Sequence, residues 1–349
     1  MYFRLLPHVF LVKGKTNSLV QDTLNQKSYL VDNELSLLIE KCERNKPFSQ
    51  IHMEKLKLLM KMKLGKITNQ PIFVDKLRLD NSAYKMYYPN MLNIKSAILQ
   101  ITSVCRLDCN MCSKVMCPTC IRSCTPNAQI SFKDWVYIID TLKQFNCEEV
   151  ILTGGDVSSY DNLRQLVSYS LERGFHTTVN VHQSVSNLNI SKSANLNVSI
   201  FNNSSLNNVL SQFKDFHHVT LTYFVPVKME NIHLPKNFSV QFKTPYQYTV
   251  NQSDMPCPDI YLFYTKMHRN HCLPGRIAIQ SNANVYPCLG AMSKQLAPVG
   301  NILTDDLSTL ICELIVKYWT YSVNDKRICN SCEFRYSCPN CILEQKRVN

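Results

Sequence analysis

Three of the sixteen cysteines fall in Cys105-Arg106-Leu107-Asp108-Cys109-Asn110-Met111-Cys112, a C-x3-C-x2-C run. Thiolates this close can hold three corners of a cubane iron–sulfur cluster and leave the fourth iron without a protein ligand. A structural metal site closes its coordination sphere, whereas a site that does chemistry keeps one position open. A second group, Cys329-x2-Cys332-x5-Cys338-x2-Cys341, suits tetrahedral zinc in a ribbon or an iron–sulfur cluster. Cys117-Pro118-Thr119-Cys120, with Cys124 beyond it, is open to several readings: zinc or cluster ligands, a redox pair, or incidental loop thiols. Cys42, Cys147 and Cys312 stand alone and read as small buried hydrophobes.

Clustered cysteines mean metal ligands only where thiols stay reduced. The sequence is consistent with such a compartment. No segment reaches the roughly 18 consecutive apolar residues of a membrane helix. Met1–Lys13 is apolar but short, with no basic leader region and no small-residue cleavage site. These features predict a cytoplasmic protein with no membrane partner. The net charge of +12 is spread thinly apart from Lys55–Lys66, which reads as a solvated basic face. No dense Lys/Arg cluster with interleaved aromatics accompanies the C-terminal thiols, which argues against a zinc-dependent nucleic-acid binder. A 45% hydrophobic content in 349 residues supports a large core and more than one domain.

The elements that must position the first cysteine run are strands alternating with helices between about 94 and 248. Ala97–Thr102, Glu149–Thr153, Phe175–Val181, Leu196–Phe201, Val219–Val225 and Asn237–Phe242 read as strands. Ser131 opens a helix with Asp134 three residues on and Trp135, Ile138, Ile139 and Leu142 on its buried face. Asn162–Arg173 reads as a helix stopped at Gly174, and Asn203–Phe213 as another. About six βα units predict an α/β fold, a partial (β/α)6 parallel barrel, with Cys105–Cys112 in the loop after its first strand. Parallel βα folds bind ligands at the carboxyl ends of their strands.

Before that zone lie strand-like runs at Tyr2–Leu6, Val9–Val12 and Tyr29–Val31. A helix capped by Asn33 and a second at about Phe48–Leu64, stopped by Gly65, follow them and predict a small winged-helix-like module. After it come a hairpin, Arg276–Gln280 with Asn284–Pro287, a helix at Leu307–Tyr318, and loops that need metal to hold them. The predicted domains are 1–90, 91–250 and 251–349.

Thr153-Gly154-Gly155-Asp156 ends the strand after the cysteine run. Together with Cys105, Cys109 and Cys112 it resembles the radical S-adenosylmethionine superfamily. The resemblance covers about residues 94–345. It implies a 4Fe–4S cluster on those three cysteines and S-adenosylmethionine on the open iron. It also implies contacts from Met111, Thr153, Gly154, Gly155 and Asp156, with Asp156 replacing the family's glutamate at the cofactor's amino group. Met111 stands where the family usually has an aromatic. Val181-His182-Gln183 stands where it has Thr-Asn-Gly, so no contact is assigned there.

The C-terminal thiols, with Cys272 and Cys288 flanking the hairpin, resemble the SPASM extension of peptide-modifying radical enzymes. That resemblance implies one or two auxiliary iron–sulfur clusters. Cys272, Cys288 and Cys341 would join the first, with Cys257 a possible fourth ligand, and Cys329, Cys332 and Cys338 would hold the second. Ala283 replaces the family glycine before Cys288, and the family's last cysteine is missing, so the second cluster would keep an open iron or only one auxiliary cluster would form. The N-terminal residues are similar to leader-peptide recognition modules and to maturases of the grasp-with-spasm type.

These resemblances imply an enzyme that modifies a ribosomally made precursor peptide by hydrogen abstraction with a 5′-deoxyadenosyl radical. The product would be a thioether, a carbon–carbon crosslink, an epimer or an oxidised side chain. Its partners would be the precursor peptide, an electron donor such as ferredoxin or flavodoxin, and an ATP-grasp enzyme. The alternative is a non-catalytic iron–sulfur scaffold that hands a bound peptide to a partner enzyme. No residue is assigned as acid, base or hydrogen donor.

Overall fold

Hydrophobic alternation and chain reversals give a computed structural model with two compact units. It describes residues 1–78, 93–107, 119–121, 129–186, 188–202, 205–224, 234–242, 255–338, 341 and 343. One unit comprises Met1–Tyr88, Thr249–His271 and Trp319–Asn349; the other comprises Pro89–Tyr248 and Cys272–Tyr318. Cys109, Met111 and Cys112, and also Cys117 and Cys124, lie outside the described residues.

The first unit opens with β1 (Tyr2–Leu5), β2 (Val9–Lys13), β3 (Ser18–Asp22) and β4 (Lys27–Val31), followed by α1 (Asn33–Glu43), α2 (Met53–Lys61) and β5 (Gly65–Thr68). β2, β3 and β4 form an antiparallel meander, and β1 pairs antiparallel with β5. Phe3, Leu5, Val9, Val20, Ile39 and Leu56 build one core, while Phe10, Val12 and Leu19 build another with Phe263, Phe334 and Tyr336. The meander is thus packed on both faces.

That double packing explains why β3 was not legible as a strand. Its polar ends are buried because they are paired: Ser18 Oγ lies 2.7 Å from Ser36 Oγ, and Gln21 Nε2 donates to Ser337 Oγ at 2.6 Å. Two boundaries also differ from the sequence reading. Asp32, not Asn33, caps α1, accepting from Leu35 N–H at 2.7 Å. Gly65 does not stop α2. Lys63 takes the left-handed turn at φ 57°, and Gly65 opens β5, where the Phe3 ring occupies the space a Cβ would need.

The second unit follows its predicted pattern closely. β6 (Ser96–Thr102), α3 (Phe132–Gln144), β7 (Glu149–Gly154), α4 (Leu163–Glu172), β8 (His176–His182), β9 (Asn195–Ile200), α5 (Leu206–Phe213), β10 (His218–Tyr223) and β11 (Phe238–Phe242) run in chain order. The six strands are all parallel, each hydrogen-bonded to the next. Ser131 and Asp134 close a capping box on α3, and Trp135, Ile138, Ile139 and Leu142 are its buried face.

In the first unit, α6 (Ile260–His268) follows the sheet in sequence. Back in the second unit, β12 (Arg276–Ile279) pairs parallel with β6, and β13 (Asn284–Tyr286) and β14 (Gly300–Asn301) continue the sheet antiparallel. The predicted hairpin is therefore present, but it extends the main sheet to nine strands in the order β11-β10-β9-β8-β7-β6-β12-β13-β14. α7 (Leu289–Ser293) and α8 (Leu307–Leu314) complete the unit, and the chain after α8 continues as a π-helical turn, Ile315–Trp319. The fold is α/β with a largely parallel sheet, a small N-terminal β module and a cysteine-rich C-terminus. Among the described residues no helix is long and apolar enough to cross a membrane.

Successive side chains on a strand point to opposite faces. On the six parallel strands, one face carries Ala97, Leu99, Val150, Leu152, Val179, Leu196, Val198, Val219 and Leu221, all essentially buried. The other face carries Gln100, Thr102, Thr153, Asn180, Ser199 and Thr222, equally buried but polar. A parallel sheet buried on both faces normally reads as near-continuous apolar sequence. The polar row marks the face on which the chemistry is to be sought.

Candidate active site at the carboxyl ends of β6, β7 and β8

Beyond their last paired residues, β6 and β7 stay together. Gly155 N–H donates to the Thr102 carbonyl at 3.2 Å, and Asp156 N–H donates to the Val104 carbonyl at 2.8 Å. Cys105, half-buried, follows directly. The two glycines permit this approach. A Cβ on Gly154 would stand 2.5 Å from the Thr102 oxygen, and one on Gly155 would stand 2.6 Å from the Cys105 Cβ and closer still to the Val104 oxygen. Glycine is the residue that tolerates so close a backbone neighbour. The predicted cysteine and the predicted glycine pair, fifty residues apart in sequence numbering, are thus side by side.

Thr153 and Asp156 sit at the same strand end. Thr153 is fully buried, and its Oγ1 donates to the Thr119 carbonyl at 2.5 Å. Asp156 is nearly buried. Its Oδ1 accepts from Ser158 N–H at 3.1 Å and Ser158 Oγ at 2.6 Å, capping the short 3-10 turn Val157–Ser159. One carboxylate oxygen therefore has a local structural role.

At the end of β8, His182 Nδ1 accepts from Ser184 N–H at 3.1 Å and lies 2.7 Å from Ser184 Oγ, while Nε2 is a buried atom with no hydrogen-bond partner among the described residues. Burial holds its pKa below the usual histidine value, opposed by the nearby Asp156 charge. The ring stacks on Phe201, which stacks on Phe224, both centroid pairs 5.1 Å apart. Gln183 Oε1 accepts from Phe201 N–H at 2.6 Å and ties β8 to the end of β9.

The sequence reading missed what fills the polar face. Thr119, Cys120 and Ile121 form a strap across it. The Thr119 carbonyl accepts from Thr153 Oγ1 and, at 2.7 Å, from Asn180 Nδ2. Thr119 Oγ1 lies 2.6 Å from Ser199 Oγ, and Ile121 N–H donates to the Gly154 carbonyl at 3.0 Å. Gln100 Nε2 donates to the Ile121 carbonyl at 3.2 Å. A signal was available: Gln100, Asn180, Asn197 and Thr222 recur at inward positions of otherwise apolar strands.

The C-terminal thiols are held differently. Cys329, Cys332 and Cys338 are half-buried on successive turns, with Cys332 N–H donating to the Cys329 carbonyl at 2.9 Å and Cys338 N–H to the Phe334 carbonyl at 2.8 Å. Burial pushes the Cys329 and Cys332 thiols above the ordinary range, and neighbouring thiols add to it. Lys266 Nζ donates to the Cys338 carbonyl at 2.9 Å, and Arg335 donates to the Cys332 carbonyl at 2.8 Å, so two cations border the turns. Cys257, buried, has its Sγ 3.6 Å from the Asp22 carbonyl oxygen. Cys257 and Cys341 belong to the first unit, Cys272 and Cys288 to the second. Cys288 Sγ accepts from Ala291 N–H at 3.4 Å as the cap of α7. Among the described residues no three His, Cys, Asp or Glu side chains are grouped as metal ligands.

The sequence matches no protein-family profile and no curated protein. Several solved structures are similar, among them the following. SuiB of Streptococcus suis bound to precursor peptide SuiA is 13% identical, over 97% of this chain and 95% of that one, with a TM-score of 0.45. SuiB bound to S-adenosylmethionine is 14% identical, over 97% and 95%, with a TM-score of 0.43. BtrN in an open conformation is 13% identical, over 68% and 92%, with a TM-score of 0.37.

Proposed function

We propose that the chain is a radical S-adenosylmethionine enzyme that modifies a ribosomally made precursor peptide, with Cys105, Cys109 and Cys112 as ligands of a 4Fe–4S cluster. The observation that carries this reading is the pairing of Cys105 with Gly155 at adjacent strand ends, through Gly155 N–H to Thr102 and Asp156 N–H to Val104. Cys105, the described member of the donor set, suits such a cluster: a half-buried thiol beside a glycine cradle, at the end of a parallel sheet where ligands bind.

When bound, the cluster supplies an open iron and the electron for reductive cleavage of the S-adenosylmethionine sulfonium. The chain's own residues bind and orient. Asp156 offers a carboxylate to the cofactor's amino group, and Thr153, Gly154 and Gly155 shape the strand end around it. The stacked rings of His182, Phe201 and Phe224 wall the neighbouring strand ends and exclude water. Met111 is the further cofactor contact. Cys329, Cys332 and Cys338 are ligands of an auxiliary iron–sulfur centre, with Lys266 and Arg335 as bordering cations. The N-terminal module receives the leader peptide at an edge of its meander. Of its lysines, Lys55 and Lys57 already pair with Glu34 and Glu54, leaving the acidic-leader contact to Lys61, Lys63 and Lys66.

One observation favours the scaffold alternative: the Asp156 carboxylate already serves Ser158. A single experiment separates the two. Purified and reconstituted without oxygen, the protein is expected to hold iron and sulfide and, with reductant and S-adenosylmethionine, to release 5′-deoxyadenosine. Iron without cleavage in the presence of the precursor peptide would leave the scaffold. Zinc without iron would overturn both.

A further inference from the structure

The strap Thr119–Ile121 is itself a peptide segment seated on the polar face, and the way it is held describes what that face recognises. Of the five hydrogen bonds described for Thr119 and Ile121, four involve main-chain atoms: the Thr119 carbonyl twice, the Ile121 N–H and the Ile121 carbonyl. Any extended chain could make those four. The other contact and one buried side chain are selective. The Thr119 hydroxyl meets Ser199, and Ile121 is buried in an apolar pocket of Ile98, Ala278, Tyr286, Leu289 and Met292. Cys120 lies between these two anchors, its neighbours bonded to Thr153 and Gly154, one residue before the glycine that touches Cys105.

From this seating we infer that the strap is an internal stand-in for the substrate. The site takes an extended peptide of the pattern hydroxyl residue, any residue, aliphatic residue, and places the middle residue at the reacting end of β7. The inference rests on the proposed function for what happens to that middle residue, and names the substrate class the function leaves open.

Energetics make the exchange a two-state one. Gln100, Thr153, Asn180 and Ser199 are all buried, and removing the strap alone would leave each short of a partner. A buried polar group without its partner costs about 1–3 kcal/mol. The bare face is therefore disfavoured, and the strap departs only as another chain takes over its bonds. A substrate that merely copied them would gain nothing over a tethered competitor. Gln100 Oε1 supplies the difference: it is buried and has no hydrogen-bond partner among the described residues. A peptide with one more N–H in register satisfies it, and such differential contact is what shifts a two-state equilibrium.

The test uses the full chain without S-adenosylmethionine and a fluorescein-labelled pentapeptide, Pro-Thr-Ala-Ile-Arg, read by fluorescence anisotropy. Variants that weaken the strap should tighten binding, and a variant of the face should separate a peptide that copies the strap's hydroxyl from one that lacks it. Ile121→Ala weakens the competitor and should tighten binding about tenfold, less than the full cost of removing a buried isoleucine side chain. Ser199→Ala removes the hydroxyl contact from the strap and from that peptide alike, so it should leave Pro-Thr-Ala-Ile-Arg unchanged and tighten Pro-Ala-Ala-Ile-Arg about threefold or more, as expected for a competitor that loses one contact worth about 1 kcal/mol. If Ile121→Ala fails to fold, as judged by its thermal melt, Thr119→Val replaces it with the same expected direction. Binding that Ile121→Ala weakens or leaves unchanged would overturn the inference, as would equal affinity of Ser199→Ala and wild type for Pro-Ala-Ala-Ile-Arg. Loss of 5′-deoxyadenosine formation tests the proposed function and leaves this peptide result standing.

Discussion

Cys105 leaves the sheet on the end of β6 with its neighbours already hydrogen-bonded to β7, whereas Cys329, Cys332 and Cys338 sit on consecutive turns with no strand or helix of their own. In the first region the backbone sets the geometry before any ligand arrives. In the second, buried thiols with raised pKa values and two bordering cations await a geometry that among the described residues is not assembled. A metal that binds only the folded arrangement contributes its binding energy to folding. On the proposed function, cofactor chemistry would belong to the strand ends and metal-dependent stability to the turns.

The largest effect that could break this division concerns Cys105. Cys105→Ala should lower 5′-deoxyadenosine formation at least about 100-fold, a barrier change of about 2.7 kcal/mol or more. Anaerobic incubation with S-adenosylmethionine and reductant, followed by chromatography, reads it directly. Activity retained by this variant would move the chemistry away from the β6 end.

Metal removal probes the other side. Chelation of the purified protein should lower its melting temperature by about 5 °C, the shift expected from roughly 1–2 kcal/mol in a domain of this size. Hydrogen exchange should show the loss confined to the turns around Cys329–Cys338. In Cys332→Ala the chelator-dependent shift should vanish. Equal protection of those turns before and after chelation would mean that they are preformed like the strand ends.

The preformed character of the strand ends can itself be tested by two glycines. Gly155→Ala forces a Cβ against the Val104 carbonyl and the Cys105 side chain, so it should cost about 1–3 kcal/mol, the usual penalty of overpacking. Gly174→Ala, at φ 75° but with its nearest neighbour 3.7 Å away, should cost only the left-handed strain of about 1 kcal/mol. Urea melts give both values. Iron content after reconstitution should fall in Gly155→Ala alone, because only that substitution displaces Cys105.

The sheet was legible because its signals are local and repeated: six apolar strand runs, the Ser131–Asp134 box, and Gly174 as a stop each agree with the tertiary arrangement. The Cys105–Gly155 pairing followed from the same logic, since adjacent strand ends of a parallel sheet bring their loops together. The strap was not legible. Its fit depends on Thr153, Asn180 and Ser199 from three strands, and no window of sequence contains them. β3 was hidden by buried polar partners supplied by distant residues, Ser36 and Ser337. Gly65 was misread as a helix stop because the ring that requires a glycine there, Phe3, lies at the other end of the module's sequence.

A third cysteine sharpens the contrast by showing what burial alone does to a thiol. Cys147, two residues before β7, is 1% exposed, and burial pushes it from 9.0 up to about 12. The folded state thus holds the thiol proton more tightly than the unfolded chain does. Its stabilising share is complete below pH 9.0 and declines as pH rises toward 12, because only the unfolded chain ionises in that window. Between pH 8 and pH 10 the expected loss is about 1 kcal/mol, since each pH unit above the unfolded pKa costs roughly 1.4 kcal/mol per proton. Cys147→Ala should flatten the difference between urea melts at the two pH values. A drop that survives the substitution would trace the alkaline loss to other thiols, Cys329 and Cys332 among them, whose raised pKa values carry the same sign. Repeating the melts with metal bound then separates the two regions. Ligated thiols have already lost their protons and stop contributing to the alkaline decline, whereas Cys147, held by the sheet and by no metal, keeps its share.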